Sequence, residues 1–269
     1  MTKDSIGNRM KEFYENRSKT YLTCRTPVII RIDGCHFHTF TKGFKRPFDS
    51  ILMKTMQETT KNLCENIQGC KLGYTQSDEI SLLLTDYDNI TTSAWFGNSV
   101  QKICSVSAAL ATMYFNKNLK KNVEKETEVK DLYSFYNEDG ETQNYRSMLL
   151  KKLEVGAYFD SRCFNIPQSE VCNYFIWRQQ DCTKNSVSSL ARKYFSDKEL
   201  HCLNGSQMQD KLHEKKGVNW NDCSDVEKRG TCVIKNSNPN SNRSNWIIDE
   251  HIPIFTQDRD YIESRFPKN

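Results

Sequence analysis

The chain has 269 residues, and its 38 Lys and Arg against 34 Asp and Glu leave a net charge of only +4. That excludes polyanion binding by bulk charge, so any such partner must meet a local patch. Fourteen Phe, twelve Tyr and four Trp, 11% aromatic in all, exclude a disordered chain.

No stretch approaches the roughly 20 apolar residues of a membrane helix, and MTKDSIGNRMKEFYENRSK has no apolar signal core. An intracellular protein is therefore expected, cytoplasmic or mitochondrial, with no membrane partner. The eleven cysteines are an odd number and include no CxxC pair. They read as reduced packing thiols rather than as disulfides or a zinc site.

Residues 3–18 space Ile6, Met10, Phe13 and Tyr14 as a helix does. After Pro27, the β-branched run VIIRID reads as a buried strand ending at Asp33-Gly34. CHFHTFTKGFKRPFD is aromatic, basic and broken by Gly43 and Pro47, so it reads as a loop. Asp49 or Ser50 can N-cap a helix over ILMKTMQETTKNLCENI, with Ile51, Leu52, Met56, Thr59, Leu63 and Ile67 on one face and Gly69 as the stop. KLGYTQ and ISLLLTDY are two strands joined by a tight turn at SDE. A helix is expected from Ser99 to Asn116, with small residues suited to packing on a sheet. Residues 117–147 are highly charged and read as a surface insertion.

GAYFDSRCFNIP is the next strand, which completes the order β-α-β-β-α-β. This is the ferredoxin-like split βαβ pattern, an α+β fold. It assigns a catalytic part to residues 1–165 and a helical extension to 166–269. The extension holds helices over SEVCNYFIWRQQDCTKNSVSSLARKYF and SQMQDKLHEKKG, a late strand GTCVIKN and a solvated loop NSNPNSNRSN.

Chemistry concentrates at two places. Asp33 ends the first core strand, while Asp78 and Glu79 lie in the turn that leads into the third. In a split βαβ sheet those strands are central neighbours, so the carboxylates converge at one edge. Hard oxygens so placed suit Mg²⁺ with substrate phosphates, and two such ions could activate a hydroxyl and stabilise leaving pyrophosphate. Taken singly, Asp33 could merely cap a loop and Asp78 merely form a turn.

Beside Asp33, residues 34–47 carry Lys42, Lys45, Arg46, His36, His38, Phe37, Phe40 and Phe44. Gly34 allows the backbone to approach a phosphate, and successive amides in such turns form anion nests. The cations can neutralise a triphosphate, and the aromatics can stack on a base or pack inward. His38 suits a structural hydrogen bond and a substrate contact equally.

RIDGCHFHTFTKGFKRPFD followed by GYTQSDEIS resembles the tRNA-His guanylyltransferase superfamily, the 3′-to-5′ polymerases. FDSR at 159–162, WRQQDCTKN at 177–185 and KRGT at 228–231 match its later motifs in order. The resemblance implies a palm-like domain similar to polymerases and nucleotidyl cyclases, two Mg²⁺, and nucleotide addition to the 5′ end of tRNA after activation by ATP. It also implies ATP and GTP or other NTPs as substrates, tRNA as partner, and a homotetramer.

Carried over by position, Asp33 and Asp78 would be the metal carboxylates, Gly34 would add its carbonyl, and Glu79 would assist. Gly34, Cys35, His36, Phe37, His38, Lys45, Arg46 and Ser77 would hold the triphosphate. Arg162, Arg178, Gln179, Asp181, Asn185, Lys228 and Arg229 would lie near the activating nucleotide or the tRNA 5′ end. Arg46-Pro47-Phe48-Asp49 and Thr183-Lys184-Asn185-Ser186 depart from the Lys-Pro-Asn-Asp and His-Ile-Asn-Asn of many eukaryotic members. Both changes resemble the guanylyltransferase-like branch, which implies templated repair of 5′-truncated tRNA. Addition of G−1 to tRNA-His is the alternative, and a palm-type cyclase or a non-catalytic tRNA-binding protein are further ones.

Overall fold

The computed structural model describes residues 5–133, 140–236 and 245–267, with backbone only at 127–133 and 140–144. Helix α1 (Ser5–Phe13) leads into β1 (Val28–Gly34), where Val28, Ile30 and Ile32 point to one side and Ile29, Arg31 and Asp33 to the other. A short helix α2 (Phe37–Phe40) lies inside the segment read as a loop. It forms because Phe37 and Phe40 are both buried on one side, among Phe115 and Phe159.

Helix α3 (Ser50–Asn66) is N-capped by Asp49, whose carboxylate accepts from Leu52 N–H at 3.0 Å. Strands β2 (Cys70–Gln76) and β3 (Glu79–Leu84) form the hairpin, joined by Ser77 and Asp78.

Helix α4 (Val100–Tyr133) runs far beyond Asn116, so the charged segment read as an insertion is helical up to that residue. Ala111, Phe115, Leu119 and Val123 are four apart and all buried. The Lys and Asn between them hide the stripe in the sequence: the lysines face solvent, while Asn118 and Asn122 are buried and donate to Asn62 and Thr55 of α3. Helix α5 (Gly140–Val155) returns, and residues 134–139 of that segment lie outside the described residues.

Strand β4 (Phe159–Asn165) is followed by the long helix α6 (Gln168–Tyr194), then α7 (Asp197–Leu200), α8 (Gly205–Lys216) and α9 (Asp225–Arg229). The late strand β5 (Thr231–Asn236) is present, and β6 (Asn245–Asp249) adds to it. Most of the Asn/Ser-rich stretch read as a solvated loop, 237–244, lies outside the described residues. Helix α10 (Asp260–Glu263) closes the fold.

The six strands make one antiparallel sheet in the order β4-β1-β3-β2-β5-β6. On one face α3 and α4 pack over Ile30, Ile32, Ile80 and Leu82. On the other, Val171 and Phe175 of α6, with Phe255 and Ile262, cover Ile29, Leu72, Tyr74 and Leu83. A smaller cluster of Leu190, Phe195, Leu200 and Leu212 joins the end of α6 to α7 and α8.

All eleven thiols are free, and five are buried. Burial pushes Cys163 and Cys182 up to about 12, so both stay protonated at neutral pH. Among the described residues no helix is long and apolar enough to cross a membrane.

Candidate active site

Asp33 stands at the register position where β1 meets two other strands. Its Cα partner is Glu79 on β3 and Asp160 on β4. Because strand side chains alternate, all three share the face that carries Arg31 and Arg162, themselves partners across β1 and β4. The Gly34 N–H donates to the Asp78 carbonyl at 3.2 Å, which ties the end of β1 to the β2–β3 turn. The structure thus brings Asp33, Gly34, Asp78 and Glu79 together at one end of the sheet.

Asp78 lies in the turn, but Glu79, expected there too, is the first residue of β3, and the two differ in environment. Burial lifts the Asp78 carboxyl above its usual range and the charge of Asp33 lifts it further, while its own N–H and the Ser77 hydroxyl pull it back. Glu79 is buried at 6% exposure, and burial likewise raises it, opposed by Arg178 and Arg31. Arg31 Nη2 lies 2.8 Å from Glu79 Oε2 and 3.7 Å from Asp33 Oδ2. Arg178 Nε lies 3.3 Å from Glu79 Oε1, close enough for an ion pair although the N–H is not aimed at the oxygen. Glu79 is therefore occupied by arginines, and it holds them beside Asp33.

Among the described residues no three His, Cys, Asp or Glu side chains form a ready-made metal cage. Asp33, Asp78 and the Gly34 carbonyl nevertheless make an all-oxygen set of the kind Mg²⁺ takes alongside phosphate oxygens and water. The charge that Asp33 makes costly at Asp78 is one that a divalent cation bound by both would offset. The donor chemistry fits the ion.

The adjoining loop is built on backbone. A Cβ at Gly34 would lie 2.1 Å from Phe37 Cδ2, so only glycine fits there. His36 takes φ +53° and Ser77 φ +50°, so two non-glycine residues in the left-handed region flank the carboxylates. His36 caps α2, whose first-turn amides at Phe37 and His38 lack intrahelical acceptors. Cys35 N–H is taken by the Tyr158 carbonyl at 2.9 Å, and its thiol lies 3.7 Å from Asp160 Oδ2. The Phe37, Phe40 and Phe44 rings all pack inward, which leaves Phe37 only its backbone to offer a ligand. His36, His38, Lys42, Lys45 and Arg46 are exposed.

Asp49 fixes the far end of that loop. Besides capping α3 it accepts from Lys45 N–H at 2.9 Å and from the Tyr145 hydroxyl of α5. Lys45 Nζ lies 4.9 Å over the Tyr145 ring.

A cleft of about 150 Å³ opens next to the β2–β3 turn, with Phe48, Met53 and Met56 on its apolar side and Ser77, Asn185 and Glu227 among its polar groups. An apolar wall with few polar groups suits a flat heteroaromatic ring.

The C-terminal candidates divide. Arg178, 2% exposed, holds Asp181 at 2.6 Å as well as Glu79, and Asn185 approaches Asp181 at 3.5 Å. Arg162 pairs with Asp160 at 3.0 Å, and both remain more than half exposed on the carboxylate face. Gln179 turns away instead: its amide donates to the Pro253 carbonyl and accepts from Phe255 N–H, both at 2.9 Å. Lys228 donates to the Asn221 carbonyl at 2.8 Å, and Arg229 is held by Asp225 at 2.9 Å and the Ile252 carbonyl at 3.0 Å. Their charges are spent within the α9 region.

Arg31 and Asp160 escaped the motif reading. The available signal was a charged residue two positions from another charge within an apolar strand, in IIRID and in FDSRCF.

A family model described as tRNAHis guanylyltransferase (Thg1) matches residues 7–167. A bacterial tRNA(His) guanylyltransferase-like protein solved in complex with ATP is 46% identical, with a TM-score of 0.79 over 97% of this chain and 98% of that one. Its complex with GTP gives 45% and 0.77 over the same shares. An uncharacterized protein of Acanthamoeba polyphaga mimivirus is 26% identical over 97% of this chain and 87% of its own. The tRNA(His) guanylyltransferase of Debaryomyces hansenii is 25% identical over 81% of this chain and 76% of its own.

Proposed function

Because the chain belongs to the tRNAHis guanylyltransferase family and is a nucleotidyltransferase, we propose that it adds nucleotides, directed by a template, to the 5′ end of truncated tRNA. The observation that carries this reading is the 46% identity to the bacterial guanylyltransferase-like protein, against 25% to the Debaryomyces enzyme. Phe48 and Ser186, two of the residues that depart from the eukaryotic pattern, both line the cleft beside Ser77.

In this reading the first four strands with α3 and α4 are a ferredoxin-like palm, residues 1–165 carry the chemistry, and 166–269 supply α6 and its attachments. Asp33, Asp78 and the Gly34 carbonyl hold Mg²⁺, two ions when loaded. Bound there, the metal supplies neutralisation of phosphate charge and activation of the attacking hydroxyl. The amides of His36, Phe37 and His38, with Lys45, Arg46 and Ser77, grip a triphosphate through charge-assisted hydrogen bonds, while the Cys35 amide stays with the Tyr158 carbonyl. Glu79 keeps Arg31 and Arg178 in place, and Arg162 and Asp181 line the approach of the RNA end.

Two transfers follow. A 5′-phosphate oxygen attacks the α-phosphorus of ATP, forming the adenylylated end and releasing pyrophosphate. The 3′-hydroxyl of the incoming NTP then attacks that 5′ phosphorus, loses its proton and displaces AMP. A 5′-triphosphate end skips the first step and releases pyrophosphate in the second. The enzyme acts inside the cell as a homotetramer.

The test offers tRNA-His lacking G−1 and a set of 5′-truncated tRNAs side by side, with all four NTPs. Faster extension of the truncated tRNAs, following the template, is the expected result. Preference for G addition to tRNA-His would favour the alternative, which the name of the Debaryomyces relative supports. A cyclic product formed from NTP without RNA would replace both with the cyclase reading.

A further inference from the structure

We infer that Trp177 is a binding residue on which the terminal base of the RNA 5′ end stacks, and this rests on the nucleotide-transfer reading above. Trp177 lies on α6 and is 51% exposed, and it belongs to none of the three apolar clusters. An indole that packs for stability would bury most of its surface. The Arg178 guanidinium lies 4.0 Å from the ring centroid, and Tyr174 meets the ring edge-on at 5.9 Å. Arg178 is in turn fixed by Glu79 and Asp181. The ring is therefore backed and oriented before any ligand arrives, which lowers the ordering cost of binding.

Its position relates it to the reaction. The Arg31 guanidinium lies 5.9 Å from the indole centroid and also reaches Glu79 and Asp33. One side chain thus separates the ring from the carboxylate pair. The NTP base has a more enclosed berth in the cleft by Phe48 and Met53, which Trp177 does not line. Trp177 instead projects from α6 near Arg31, whose neighbours on β4, Asp160 and Arg162, are more than half exposed, so a polymer has access there. Arg162 is the cation beside Arg31 that can exchange its Asp160 partner for a phosphate. Stacking accepts every base, as a templated enzyme working on many 5′ ends requires.

The test is a direct titration, without turnover, using a 5′-triphosphorylated acceptor-stem hairpin with one unpaired 5′ nucleotide and the same hairpin abasic at that position. Wild-type enzyme should bind the abasic hairpin roughly tenfold more weakly. Trp177→Ala should bind the intact hairpin about as weakly as wild type binds the abasic one, with no further loss on removing the base. Trp177→Phe should retain most of the affinity, and KM for NTP should be unchanged in both variants. The hairpin should quench wild-type Trp fluorescence but not that of Trp177→Phe.

Equal weakening of both hairpins by Trp177→Ala would overturn the assignment in favour of a structural role. A rise confined to KM for NTP would reassign the ring to the incoming base. Should wild type extend no RNA at all, the functional reading fails while the two-hairpin comparison still decides the fate of Trp177.

Discussion

Asp33 at the end of β1 and Asp78 in the β2–β3 turn present two carboxylates that approach each other only because β1 and β3 are adjacent. Replacing either by Asn keeps size and hydrogen bonding but removes the charge that binds a cation. Asp33→Asn and Asp78→Asn should each lower the addition rate by at least about a hundredfold, the loss of several kcal/mol of charge stabilisation. Hairpin affinity should change little, and single-turnover kinetics at saturating RNA separate the two effects. An addition rate within a few-fold of wild type would remove the metal role.

These two residues were legible in the sequence because Asp33 ends an apolar run and Asp78 sits in the polar break before another, where turns must form. Arg31 and Asp160 were not, because their membership depends on strand register, which pairs Asp33 with Asp160 and Arg31 with Arg162. Gln179 shows the opposite failure. Next to Arg178 in a motif it reads as a site residue, but one step along a helix rotates it about 100° toward the 253–255 backbone.

At the level of elements, α3 and the basic loop before it are one unit held by Asp49. Its two oxygens serve the Leu52 amide, the Lys45 amide and the Tyr145 hydroxyl, so one buried carboxylate ends a loop, starts a helix and receives α5. Asp49→Ala should cost about 2 kcal/mol in urea unfolding, the upper end for a lost N-cap, because two more donors lose their acceptor. Tyr145→Phe removes one hydroxyl and should cost about 1 kcal/mol. It should also raise KM for NTP, since the ring over which Lys45 sits loses the Asp49 anchor that positions it. A Tyr145→Phe variant with wild-type stability and KM would show that α5 does not steady the loop.

A cap of α3 at Asp49 or Ser50 followed from sequence alone, since such a residue before an apolar periodic run has a local cause, and the structure selects Asp49. Its link to Tyr145 spans 96 positions and has no local signature. The true length of α4 was hidden for another reason: Leu119 and Val123 are the only strong apolar marks on those two turns, and the surrounding Lys and Asn outweigh them in any average over the segment.

For the whole molecule, the net charge of +4 turns out to say little about the partner, because exposed Lys42, Lys45 and Arg46 stand beside one another while the carboxylates gather a few residues away. Chain position is a poor guide to folding units too. Strand β5 comes from the far end of the sequence yet pairs with β2, and α6 roofs strands from the first third. Residue 165 therefore does not divide two folding units, and cutting there predicts a specific failure.

A fragment of residues 1–165 would strip Val171, Phe175, Phe255 and Ile262 from the α6 face and bare Ile29, Leu72, Tyr74 and Leu83, each 0% exposed in the whole protein. At about 1.5–3 kcal/mol for each large side chain returned to water, four of them cost roughly 6–12 kcal/mol. A domain's entire stability is about 5–15 kcal/mol. The fragment should accordingly lack a cooperative urea transition and bind a hydrophobic dye, whereas the full chain unfolds in one step. A fragment that unfolds cooperatively would mean that the α3–α4 side of the sheet suffices, and that α6 was added to a palm already able to fold alone.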